Sequence, residues 1–260
     1  MKLRRFVQPL RALVRRVNAL PAAFAHDDFD WRTYNRAYRL EIKEDERIHT
    51  QCLVPADYRF HDGTLTRHSD RLPLHPNHRL LYETLLQLQV RRVMEVGCGG
   101  GDHLHNLGIL ASEIQLFGVD RADAQLAYLR ERHPHLRADV REFDITLPFS
   151  ALLPSVDAAF TQAVIMHIQT GNGHVVALAN MFRMATRQVV LMENWSRHPF
   201  LDAIRLLQQQ RMIPWAELHS YFRRSPEFGD RPHLMVLSAA PLDYEPLEDY
   251  SVLLDSVVNV

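Results

Sequence analysis

The sequence predicts an α/β fold: a seven-stranded, mostly parallel sheet with an antiparallel edge pair, helices on both faces and a helical cap in front of it. Three observations predict it. From Arg91 onward, short apolar runs alternate with helical stretches, the order that builds a parallel sheet through right-handed crossovers. The first run leads into four glycines within five residues, and a helix follows them. Two late runs are separated only by a loop, the spacing of an antiparallel pair.

The parallel strands are assigned to 92–96, 115–119, 138–143, 157–162 and 188–193, with helices near 102–111, 122–132, 172–184 and 199–211 between and after them. The edge pair is assigned to 219–224 and 233–239. A helix over 78–90 precedes the sheet, with Leu80, Leu81, Leu85, Leu86 and Leu88 on its apolar side. Residues 27–78 are polar, aromatic and weakly periodic. They read as short helices and loops that cover something, with turn signals at Asp57, Asp62, Gly63, His75, Pro76 and Asn77. Four regions result: a basic helix at 1–26, a cap or lid at 27–78, a core domain at 79–240 and an acidic tail at 241–260.

The first twenty residues place Leu3, Phe6, Val7, Leu10, Leu13, Val14, Val17 and Leu20 on one helical face, opposite Lys2, Arg4, Arg5, Arg11, Arg15 and Arg16. Such a helix can lie on an anionic membrane surface, or pack on its own domain or a second subunit of a homo-oligomer. Arginines interleave with the apolar residues, unlike a secretory signal, and no Ser or Thr precedes Thr33, unlike a transit peptide. With two cysteines, no zinc spacing and no membrane-length apolar run, the chain is expected in the cytoplasm, peripheral to the inner face of the membrane if the helix binds lipid. No metal is expected. The net charge is −1 and no basic stripe crosses the core, so nucleic acid is not expected as a partner.

The strongest signal is Glu95-Val96-Gly97-Cys98-Gly99-Gly100-Gly101-Asp102, at the carboxyl end of the first parallel strand, where open α/β sheets bind ligands. A Walker loop would end in Gly-Lys-Ser/Thr, and a dinucleotide fingerprint would carry glycine at its sixth position, where Asp102 stands. Glu95 and Asp102 flank the turn with negative charge, so the ligand should be neutral or cationic near the glycines. Asp120 closes the second strand at the distance of a ribose-binding acid.

At these residues the chain resembles the class I S-adenosylmethionine-dependent methyltransferases, whose fold is Rossmann-like. The resemblance runs from about residue 78 to 239 and includes Phe117-Gly118-Val119-Asp120, Asp144-Ile145-Thr146-Leu147-Pro148-Phe149 and Asp157 through Ile168. It implies S-adenosylmethionine as cofactor. Gly97, Gly99 and Gly101 would let the backbone approach the methionine part and ribose, with Cys98 in the same turn. Glu95 would reach the amino end through water. Asp120, with Arg121 beside it, would bind the ribose diol. Asp144, followed by Ile145, would accept from the adenine amine, with Asp139 as the alternative if the alignment slips by five residues. Gln162 would sit at the methionine moiety.

Methyl transfer needs alignment and exclusion of water, and a hydroxyl acceptor needs a base as well. His167, His198 and Glu193 are the catalytic candidates, from the segments that leave the fourth and fifth strands. His167 is also the kind of residue that opens a helix there, and 193–198 can be an ordinary loop. In the cap, Trp31, Tyr34, Arg36, Tyr38, Tyr58, Arg67 and His68 can face the cofactor, with Arg67 on its carboxylate. The expected reaction is O-methylation of a cell-envelope glycan, a lipid-linked or a small-molecule acceptor. N- or carboxyl-methylation of a soluble metabolite is the alternative, as is a cofactor-binding protein without turnover.

Overall fold

A computed structural model describes residues 51–249, apart from 71–72, 170, 226, 228–231 and 244–246. The basic helix expected at 1–26, the cap candidates Trp31, Tyr34, Arg36 and Tyr38, and the acidic tail from 250 onward lie outside the described residues. Among the described residues no helix is long and apolar enough to cross a membrane.

The first element differs from expectation. Residues 58–67 form a hairpin, β1 (Tyr58–His61) and β2 (Thr64–Arg67), where the sequence suggested short helices and loops. Asp62 and Gly63 at its tip both have positive φ, 48° and 77°, the geometry that joins two strands without splaying them. Each strand is four residues long, too short for its alternation to stand out. Leu65 is the residue of β2 that enters the core.

Helix α1 (Pro76–Gln87) opens with proline, and His75 caps it by accepting from Asn77 N–H at 3.2 Å. The sheet contains β3 (Arg92–Val96), β4 (Gln115–Asp120), β5 (Ala138–Glu142), β6 (Val156–Gln162), β7 (Ala185–Met192), β8 (His219–Arg224) and β9 (Pro232–Ser238). Between the parallel strands run α2 (Asp102–Leu110), α3 (Asp123–Arg132) and α4 (Gly173–Met184), and α5 (Phe200–Gln209) follows β7. Strand order is β8-β9-β7-β6-β3-β4-β5, parallel from β7 to β5, with β8 and β9 antiparallel at one edge. The fold class and seven strands expected from the sequence are present. A two-residue β10 (Glu248–Asp249) adds to β8, so part of the segment expected as a tail lies on the sheet.

Side chains alternate across the sheet as a two-residue period requires. Val93, Phe160 and Val190 enter one layer with α1, α2 and α3, through Leu81, Leu104, Leu107 and Leu129. Met94, Val96, Val189 and Leu191 enter the other with α4 and α5, through Leu178, Phe182, Ile204 and Leu207. Each fully buried leucine contributes roughly 1.5–3 kcal/mol.

Two polar devices attach the preceding segment. Buried Glu83 accepts from Leu65 N–H at 2.9 Å and from Arg223 of β8 at 3.1 Å, joining hairpin, α1 and sheet. Asn106 accepts from Leu53 N–H at 2.8 Å and donates to Gln51 O at 2.7 Å, fixing residues 51–53 to α2.

Candidate functional site

Parallel strands end on one edge, and the glycine turn emerges there. The N–H groups of Gly97 and Cys98 both donate to Val119 O, at 2.8 and 3.0 Å, which pulls the turn over the end of β4. Gly97, Gly99 and Gly101 have φ of 75°, 48° and 79°, in the left-handed region that glycine enters without steric cost. Their surroundings differ. A Cβ on Gly97 would lie 2.5 Å from a Val164 methyl, and one on Gly101 would lie 2.5 Å from Leu129 Cγ. A Cβ on Gly99 would meet nothing within 4 Å. The outer two glycines therefore let chain pack on chain, while the middle one faces open space. The sequence treated all three alike. Cys98 contributes backbone to the turn, and its side chain is buried, with burial raising its thiol pKa well above normal.

Four carboxylates surround this turn. Asp120 accepts from Gly99 N–H and from Ala122 N–H, both at 2.9 Å, so each of its oxygens is already oriented by backbone. Burial raises its pKa against those two hydrogen bonds. Glu95, 3% exposed, has an Oε2 without a hydrogen-bond partner, and burial together with Asp102 and Asp120 pushes its pKa well up. A buried oxygen of this kind is costly unless something occupies the space it faces. Asp102 is different. Its Oδ1 accepts from Arg132 at 2.6 Å and from His133 at 2.7 Å, and Cys52 Sγ lies 3.5 Å away. Burial opposes its charge, yet His133 and Arg132 hold its carboxyl below the ordinary range. Its charge is matched inside the protein, so the negative flank that the sequence assigned to Asp102 falls to Glu95 and Asp120.

Asp144 follows β5 at the same edge. Its Oδ1 accepts from Thr146 N–H and Oγ1, at 2.9 and 2.7 Å, and its Oδ2 lies 3.8 Å from Arg121 Nε. Asp139 is paired in register with Phe117, well before the strand's end, and Arg141 holds both its oxygens at 3.0 and 2.6 Å. Ile145 turns into the core, and its carbonyl accepts from Asn180 at 2.8 Å. Arg67 ends β2, where it is exposed, and it is not among the residues that line the cavity described next. Tyr58 accepts from Leu74 N–H at 2.9 Å.

A cavity of about 1040 Å³ opens beyond β6 and β7. Gln162, Ala163, Met166 and Glu193 line it near the sheet, and Trp195, Phe200, Phe222 and Met235 give it apolar walls. Gln162 Oε1 is buried without a hydrogen bond. Trp195 meets Phe200 and Phe222 edge-on at 5.3 and 5.8 Å. His233 from β9 bonds to Asn77 of α1 at 2.8 Å, and both line the cavity. Sequence reasoning missed that pair, because 156 residues separate its members and neither carries a local motif.

The three catalytic candidates fare differently. His198 lies on the cavity wall, its ring stacked on His174 at 4.3 Å. Burial lowers its pKa against the Ile165 and Ile168 carbonyls that face the ring. Glu193 also lines the cavity, but both its oxygens are engaged by backbone N–H groups of 164–166. His167 is not on the wall, and burial with Arg197 nearby lowers its pKa to about 4.

Residues 94–192 match the methyltransferase domain family. No curated protein matches the chain in sequence. Among solved structures, the methyltransferase domain of bacterial CtHen1 is 17% identical, with 63% of this chain and 97% of that one covered and a TM-score of 0.51. A TehB-like SAM-dependent methyltransferase from Corynebacterium glutamicum is 18% identical over 64% of this chain and 87% of its own, with a TM-score of 0.48. The plantazolicin methyltransferase BpumL is 11% identical over 63% and 81%, with a TM-score of 0.44. At 17% identity the likeness to the CtHen1 domain is one of fold.

Proposed function

We propose that this chain, whose residues 94–192 match the methyltransferase domain family, is an S-adenosylmethionine-dependent methyltransferase that O-methylates a small, partly apolar acceptor held in the cavity beyond β6 and β7. The observation that carries the reading is the cavity itself: Gln162 and Glu193 line it where β6 and β7 end, and it continues between aromatic walls with His198 on its side. Its size is that of a site for one small molecule. A glycan or a lipid-linked acceptor fits the same reading only by presenting one ring or one hydroxyl to it.

The turn suits the cofactor on two counts. Gly99 leaves open space where a side chain would otherwise stand, and Glu95 Oε2 is a buried acceptor in want of a donor. Asp120 would take the ribose hydroxyls, its carboxylate pre-oriented by Gly99 and Ala122. Asp144 would face the adenine amine, since it stands at the strand end and Asp139 does not. Glu95 would receive the cofactor's amino group, and Gln162 would lie against its methionine part. When bound, the cofactor supplies a methyl group activated on a sulfonium.

What remains for the chain is alignment, exclusion of water and custody of one proton. The leaving sulfur becomes neutral, so no acid is required there. The carbonyls near His198 favour a proton on the ring nitrogen turned toward them, which leaves the other nitrogen to accept. Its lowered pKa keeps the ring neutral near neutral pH, the state a base requires.

The test is S-adenosylhomocysteine release across a panel of phenols, aliphatic alcohols, amines, carboxylic acids and glycans. Turnover confined to hydroxyl compounds of small size supports the reading. His198→Gln keeps a donor toward the carbonyls and should lower turnover roughly 10²–10⁴-fold. Full activity in that variant, with amines or acids as the accepted substrates, would replace O-methylation with N- or carboxyl-methylation.

A further inference from the structure

Glu193 stands in the cavity wall, where a carboxylate base would be sought, yet its charge is directed elsewhere. It is 7% exposed. One oxygen accepts from Val164 N–H at 3.1 Å and Ile165 N–H at 3.2 Å, and the other accepts from Met166 N–H at 3.0 Å. These amides open the 3₁₀ turn Ile165–His167, and the first N–H groups of any helical turn have no partner within it. Burial raises the pKa of Glu193 against these three bonds, but both of its oxygens are already occupied by backbone amides and so are turned from a substrate.

The segment held in this way is cramped against the glycine turn. Ala163 occupies the left-handed region at φ 54°, a strained conformation for a residue with a side chain, and its N–H bonds to Met192 O at 2.9 Å. The methyls of Val164 fill the space beside Gly97, where an added Cβ would come within 2.5 and 2.7 Å of them. Moving the amides of 164–166 therefore moves either Val164 or the backbone of Gly97. Interiors this close-packed transmit such shifts rather than absorb them.

We propose that Glu193 is a positioning residue, whose grip on the amides of Val164, Ile165 and Met166 sets the wall between Gly97 and Gln162 against which the methionine end of the cofactor lies. The inference rests on the cofactor reading of the glycine turn. It removes Glu193 from the candidates for proton transfer.

Glu193→Gln and Glu193→Ala test it, with affinity for S-adenosylhomocysteine measured by calorimetry well below the melting temperature of each variant. Glutamine keeps one acceptor oxygen and loses the bond to Met166, so affinity should fall about 10-fold, and alanine should lower it about 100-fold. In wild-type protein, amide exchange across 163–168 should slow when S-adenosylhomocysteine binds, and Glu193→Gln should lose most of that slowing. Wild-type affinity in Glu193→Gln overturns the proposal. If neither variant folds, exchange in the wild type decides, and no ligand-dependent slowing at 163–168 overturns it. Wild-type protein that bound no S-adenosylhomocysteine would remove the cofactor reading and this inference together. That failure is told apart because it appears without any substitution.

Discussion

Gly99 and Gly101 lie two residues apart with the same kind of backbone, and alanine should harm them in opposite ways. At either position a Cβ in the left-handed region costs roughly 1–2 kcal/mol. At Gly99 nothing else is added, since the new methyl meets no atom within 4 Å. At Gly101 the methyl would lie 2.5 Å from Leu129 Cγ and 2.7 Å from its Cδ1, in the packed layer between α2 and α3. Overpacking of that kind adds about 1–3 kcal/mol. For a domain of this size each kcal/mol shifts the melting temperature by about 2–4 °C. Gly99→Ala should therefore melt about 2–8 °C low and Gly101→Ala about 4–20 °C low. Ligand binding should reverse the ranking. The methyl at Gly99 takes space assigned to the cofactor, so calorimetry at a temperature where both variants are folded should find the larger loss of S-adenosylhomocysteine affinity in Gly99→Ala. If Gly99→Ala binds as wild type does, the open side of the turn is not where the cofactor lies and the site assignment fails.

Three further expectations follow from the same geometry. The inosine analogue of the cofactor should bind more weakly than the natural one, and Asp144→Ala should abolish that penalty while Asp139→Ala keeps it; the reverse pattern moves the adenine contact to Asp139. Arg223→Met removes the partner that Glu83 has across the sheet while Arg79 stays on its other oxygen at 2.9 Å, so the loss is that of one hydrogen bond to a charged group, about 1.5–3 kcal/mol, read as a melt lowered by about 3–12 °C. A melting temperature within about 2 °C of wild type, below that range, would show the pair to be dispensable. Burial, with His103 and His75 nearby, lowers the pKa of His78 to about 2, and burial lowers that of His103 to about 4. The unfolded chain takes up protons below the ordinary histidine value of 6.5 and the folded chain does not, so stability is lost as pH falls through that value. At about pH 5 the loss from His78 is on the order of 2 kcal/mol. A melting temperature that holds steady from about pH 7.5 to about pH 5 would contradict the neutral buried state.

The core was legible because its period changes at each element boundary. Runs such as Val189-Val190-Leu191, short and β-branched between helical stretches, read as strands buried on both faces, and Leu178 with Phe182 marks the inner side of α4. The hairpin at 58–67 was not legible, although Asp62 and Gly63 stood out as turn residues, since each strand contributes too few inward side chains to show a pattern. The glycine turn announced itself, but the difference between Gly99 and its neighbours depends on Val164 and Leu129, which arrive from other segments. Glu193 looked like a base because residue type and position say nothing about which way a carboxylate points. Neither the amides that occupy it nor the pairing of Asn77 with His233 leaves a trace in local sequence.

Among the described residues, β5 forms one edge of the sheet, with no strand beyond it. An open edge offers unpaired backbone groups to any extended chain that meets it, and natural edges are protected with charge. Here Asp139, Arg141 and Glu142 occupy that strand, and Arg141 also donates to Leu152 O at 2.6 Å, drawing the following loop alongside. The aspartate that competed with Asp144 for the adenine thus stands on the open edge, with both of its oxygens held by Arg141. Apolar replacements at 139 and 141 should leave ligand affinity and melting temperature almost unchanged, and should reveal themselves as concentration-dependent association of the folded protein.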